Sequence, residues 1–184
     1  MALIALCVCI GISAYVGGQY VLEQNFAVYE QSAEIAEMAQ GIVDYRLPPG
    51  YTEQFGMSIF GFDMAAFGSP NLQNGAGGTL ILLAQFPKSL GLNQDDMQQQ
   101  MEEALQQQSG QNDMQLAVVG QTTAIIRDQT VPLVIREGTD DEGHQIRQIT
   151  GVFEGKGGTV MLMIMGSIQQ WDQNAIDTFI ASLR

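Results

Sequence analysis

Residues 2–22, ALIALCVCIGISAYVGGQYVL, carry no charged side chain, and no later stretch of the chain resembles them. A helix rises about 1.5 Å per residue, so this block would reach roughly 31 Å, close to the thickness of one bilayer core. The pattern predicts a membrane-spanning helix over 1–22. From Glu23 to about Val43 the apolar positions Phe26, Ala33, Ala36, Ile42 and Val43 alternate with acids and glutamines, without Pro or Gly before Gly41. This predicts a helical stalk or linker helix over 23–46. Leu47-Pro48-Pro49-Gly50 stops it, because proline cannot continue a helix and disfavours helix in the residue before it.

Beyond the prolines the period shortens to two. Phe55, Met57 and Ile59 alternate with Gly56 and Ser58, the signature of a half-buried strand, which Phe60 to Phe67 extend or follow with a second. Ser69 to Gly78 is a loop by turn chemistry, and the apolar run Thr79 to Phe86 reads as a strand covered on both faces. Asn93 is a good cap for a helix carrying Met97, Met101 and Leu105 at four-residue spacing, ended by Ser109-Gly110. Leu116 to Val119, Thr122 to Ile126, Thr130 to Arg136, Gln145 to Phe153 and Val160 to Met165 follow as strands. Turn signals recur between them at the regular spacing of antiparallel pairing. Asp172 caps a closing helix whose apolar face is Ile176, Phe179, Ile180 and Leu183. Strands clustered together with helices set apart give an α+β domain over 47–184.

Charge narrows the functional classes. The 7 Lys and Arg against 20 Asp and Glu leave a formal −13, all of it outside the uncharged block. Nucleic acid is excluded as a partner, since phosphate contacts need clustered cations, and an anionic membrane surface would repel the domain. The first basic residue is Arg46, while Glu23, Glu30, Glu34, Glu37 and Asp44 flank the block. Nothing there holds the flank in the cytoplasm, so the reading places the block in a cell inner membrane with a periplasmic domain. Lipid is then the partner of residues 2–22. Cys7 and Cys9 both lie in the block, which leaves the domain without a disulfide or a thiolate.

No stretch has a catalytic, cofactor or metal signature. Gly151 to Gly158, GVFEGKGG, has three residues before its Gly-Lys where a phosphate loop needs four, and strands flank it on both sides. Asp140-Asp141-Glu142-Gly143 lacks the ligand spacing of a calcium loop. His144, the only histidine, sits at the base of that acidic hairpin. Met161, Met163 and Met165 share a strand face but read as packing rather than as copper ligands. No catalytic, cofactor-binding or metal residue is nominated, and no cofactor is expected. The candidate partner contacts are aromatic: Phe60, Phe62 and Phe67 near the glycine-rich loop, and Trp171 before the last helix.

From Leu47-Pro48-Pro49-Gly50-Tyr51 to the closing helix, the order of elements and the early Pro-Gly-Tyr turn resemble the PsbP-like extrinsic proteins of photosynthetic membranes. The resemblance implies an α-β-α sandwich and a non-catalytic accessory role. The resulting expectation is a transmembrane helix followed by a sandwich on a mainly antiparallel sheet of six to seven strands. Its function would be that of a single-pass accessory or assembly subunit bound to integral membrane proteins of a photosynthetic or respiratory complex. The alternative is a tethered binding domain for a small ligand or metal ion.

Overall fold

The computed structural model describes residues 26–73, 77–91, 97, 99, 115–140 and 142–184. They build one antiparallel sheet of eight strands. The elements run β1 (Phe26–Tyr29), α1 (Ser32–Ile42), β2 (Thr52–Ile59), β3 (Phe62–Gly68), the short α2 (Pro70–Gln73) and β4 (Thr79–Pro87). After the crossover come β5 (Gln115–Ile126), β6 (Gln129–Thr139), β7 (Gln145–Glu154), β8 (Gly158–Ser167) and α3 (Gln173–Ser182). The spatial order β1-β2-β3-β4-β8-β7-β6-β5 shows two four-stranded meanders joined where β4 pairs with β8.

Side chains alternate across the sheet, so each strand has two faces. On the helix face, Ala65, Phe67, Ile81, Leu83, Leu133, Ile149, Phe153, Val160, Leu162 and Ile164 are buried against α1 and α3. Helix α1 contributes Ile35, Ala39 and Ile42, and α3 contributes Ile176, Phe179 and Ile180. Tyr45, between the helices, packs its ring on Phe67 at 4.9 Å and Phe179 at 6.4 Å. The opposite, methionine face has a smaller cluster in which Met97 and Val152 meet Phe86 and Met161. Phe62 and Phe86 stack edge-on there, 5.0 Å apart.

Local chemistry explains the turns. Tyr51 N–H donates to the Pro48 carbonyl, and Gly50 sits at φ +83°. Proline second and glycine third make this a type II turn. The β5–β6 connection is the two-residue turn Arg127-Asp128, with φ of +49° and +61°, and Phe60-Gly61 joins β2 to β3 in the same left-handed way. Asp172 caps α3, accepting from the Ala175 N–H at 3.0 Å, as the sequence predicts.

Several expectations are corrected. The sheet of the described residues has eight strands, not six to seven, and the described residues contain no spanning helix ahead of it. Among the described residues no helix is long and apolar enough to cross a membrane. The anchor reading falls on residues 1–22, outside the described residues. Within the expected 23–46 stalk, the described residues form a strand followed by a helix. Phe26-Ala27-Val28-Tyr29, a run of aromatic and β-branched type, pairs with β2 from Phe26↔Ile59 to Tyr29↔Gly56. The two short strands expected around Gly120 are the single strand β5, bulged between Val118 and Gly120. Most of the helix expected from Asn93 also lies outside the described residues, although Met97 and Gln99 are helical.

Candidate interaction site

The strand–loop stretch GVFEGKGG is the β7–β8 hairpin, and its lysine has a structural task. Lys156 N–H donates to the Ile42 carbonyl at 2.9 Å, and its Nζ donates to the Gln40 carbonyl at 2.8 Å and Asp44 Oδ1 at 2.6 Å. The ammonium thus meets the negative end of α1, where the last carbonyls lack helical partners. His144 is exposed and its Nδ1 lies 3.1 Å from Asp140 Oδ2. Desolvation pushes the Asp140 carboxyl up, but hydrogen bonds from the His144 backbone and ring, the His144 charge and the Glu142 N–H outweigh it and hold it below the usual carboxylate range. This arrangement organises the hairpin. Among the described residues no three His, Cys, Asp or Glu side chains are grouped for a metal ion.

The four aromatic candidates are not brought together. Phe60 is exposed at the β2–β3 turn, Phe62 is half-buried on the methionine face, and Phe67 is fully buried in the core of the helix face. Trp171 packs against that core at the start of α3, with the Arg147 guanidinium 5.5 Å from its ring centre and its Nε1 donating to Gln173 Oε1. Arg147 is held in turn by Glu137, with Nε donating at 2.7 Å.

Buried polar groups lie elsewhere. On the methionine face, Arg136 Nη1 donates to Thr150 Oγ1 at 2.8 Å and Gln148 Nε2 to Met163 Sδ at 3.2 Å. On the helix face, the Tyr45 hydroxyl is buried without a hydrogen-bond partner among the described residues. Burial, with the nearby Glu53 charge second, pushes its pKa up to about 12.

The surface that stands out is the β5 edge. Strand β5 is 12 residues long, QLAVVGQTTAII, and has no charge and no proline. It pairs with β6 alone, and no described strand lies beyond it. Val118, Val119 and Ile125 are 57%, 54% and 63% exposed. A cleft of about 960 Å³ runs along this edge beneath α3. Ala124, Leu133, Ile180 and Leu183 give it an apolar lining, while Arg127, Asp128, Asp177 and Arg184 carry its charges. Sequence reading missed this site because it took Gly120 as a turn. The available signal was the uninterrupted uncharged run across it.

The backbone phase of the edge follows from the turn and from a proline. In a two-residue hairpin the closing pair, here Ile126↔Gln129, is hydrogen bonded in both directions, and bonded pairs then alternate along the ladder. Thr123↔Pro132 therefore falls at a non-bonded position, where the missing proline N–H costs the β5–β6 ladder nothing. By the same alternation Gln121, Thr123 and Ile125 turn their N–H and C=O groups away from β6, toward the side on which no described strand lies.

No protein-family model and no curated protein matches the chain. Among solved structures it is similar to the solution structure of cyanobacterial PsbP (CyanoP) from Synechocystis sp. PCC 6803. The TM-score is 0.44 and the identity 10%, over 87% of this chain and 92% of that one. The distant PsbP-like resemblance read from element order and the Pro-Gly-Tyr turn is thus also found among solved structures.

Proposed function

We propose that this chain is a non-catalytic accessory module that binds another protein through the β5 edge and the cleft beneath α3. One observation carries this reading: a 12-residue uncharged edge strand with three exposed aliphatic side chains, bordered by a partly apolar cleft. An unpaired edge of this length is a template for another chain, and monomeric proteins ordinarily protect such edges with charge, proline or shortness. An extracytoplasmic setting beside a membrane complex belongs to the same reading, supported by the uncharged block 2–22 and the acidic residues after it.

The test is recovery of the chain from the cells that make it, with a photoreactive residue at Val119 and, separately, at Phe60. Stoichiometric capture of one partner protein is expected. A free monomer in every fraction, with no cross-link from either position, would overturn the reading.

A further inference from the structure

We infer that the β5 edge takes its partner by strand addition, and that the partner segment is extended, uncharged along its middle and basic at an end. This rests on the accessory reading above and names its occupant. Three observations select that chemistry. First, Gln121, Thr123 and Ile125 aim backbone donors and acceptors outward, so an incoming chain must be extended to match them. Second, β5 has no charged side chain from Gln115 to Ile126, so a charge midway along the added strand would find no opposite partner on it. On the α3 side, alternate side chains of the added strand would meet the cleft, where Ala124, Leu133, Ile180 and Leu183 favour small apolar groups.

Third, the two ends of the edge differ in charge. At the Ile126 end Arg127 and Arg184 balance Asp128 and Asp177 around the cleft. The Gln115 end lies beside Thr139, where the β6–β7 hairpin brings Asp140 and Glu142 around His144. Basic residues on the partner's end match that hairpin, and the overall −13 adds long-range attraction in the same sense. A second copy would bring its own −13 to the same edge.

The probe is a peptide as long as β5, alternating Val and Thr, with a Lys pair at each end. Its counterpart carries Glu pairs instead. Both are titrated against the full chain in mild detergent, with backbone amide exchange as the readout. The Lys peptide is expected to protect Gln121, Thr123 and Ile125 saturably. It should bind about threefold to fivefold tighter than the Glu peptide at low salt, with the ratio shrinking as salt rises. Glu142→Gln should shrink the ratio without abolishing binding. Thr123→Pro should abolish binding, because it removes an outward donor while sparing the β6 ladder.

Protection of those three amides before any peptide is added would overturn the inference, because the edge would already be covered by the chain itself. Concentration-dependent self-association through β5 would also overturn it. So would peptide binding that Thr123→Pro leaves intact, or no binding at millimolar peptide. A native partner that cross-links at Phe60 and not at Val119 would sink this inference while leaving the accessory role standing.

Discussion

The two edges of the sheet are built differently. Strand β1, described over Phe26–Tyr29, leads into α1, which folds back over β2 and β3. Its approach is close: a side chain at Gly56, opposite Tyr29, would collide with Met38 and crowd Ile35. Strand β5 runs for 12 residues, and along 122–128 a cleft lies between it and α3. The described part of β1 runs into the helix that covers its neighbours, whereas β5 presents a row of backbone groups with no charge to repel a newcomer. The contrast shows that the two edges of one sheet can differ although a single face is covered by helices, because covering a face and closing an edge are separate problems.

The largest expected effect tests whether the two meanders behave as one body. Leu162 on β8 is fully buried and its strand pairs with β4 across the seam. Leu162→Ala should cost about 2–5 kcal/mol through lost burial and a residual cavity. Chemical denaturation followed by near-ultraviolet dichroism and by amide exchange should still give one transition. Two resolved transitions would mean that the β1 and β5 edges belong to separately stable halves.

Next in size is the helix that borders the cleft. Asp172→Ala removes the acceptor for the Ala175 N–H and should cost about 1 kcal/mol. Its exchange signature should be uneven. Amides at the start of α3 should lose protection first, while those of α1 stay unchanged.

How much of this was legible in the residues depends on whether the deciding force was local. The Pro49-Gly50 turn, the Asp172 cap and the apolar faces of α3 and β4 are set within a few residues, and the sequence displays them. Phe26 to Tyr29 is different, because four residues do not reveal a period and pairing with β2 decides their state. At Gly120 a turn residue was taken at face value, although β6 absorbs it as a bulge inside a continuous ladder. The interaction site was hidden for a related reason. Aromatic residues are conspicuous, yet Phe67 is core and Phe60 and Phe62 serve a turn and the opposite face. The uncharged run of β5 is visible in the residues, but its place at the edge appears only when strand order is known.

Tyr45→Phe should have a smaller effect of the opposite sign. The hydroxyl is buried without a partner among the described residues, so removing it should leave stability unchanged or raised by under about 1 kcal/mol. The pH dependence is the sharper readout. Below pH 10 the folded and unfolded chains both keep this proton, and stability is full. Between about 10 and 12 the unfolded chain releases it first, so stability falls until the folded group titrates. The Phe variant should flatten that alkaline slope. Since Tyr45 lies between α1 and α3, away from β5, peptide capture at the edge should not change.

The smallest effect on stability, and the most direct test of the contrast, comes from one lysine placed on each edge strand. Val28 is 45% exposed on β1 and Val119 is 54% exposed on β5, so Val28→Lys and Val119→Lys should each shift unfolding by less than about 0.5 kcal/mol. Their effects on association should diverge. A lysine on β1 lands at the opposite end of the sheet from β5. A lysine at Val119 places a charge in the bulged middle of the uncharged run, where an added strand must lie flat. Partner capture and binding of the Lys peptide should therefore respond to Val119→Lys and ignore Val28→Lys. Equal responses would mean that exposed aliphatic surface alone drives association, and that the length and open backbone of β5 contribute nothing of their own.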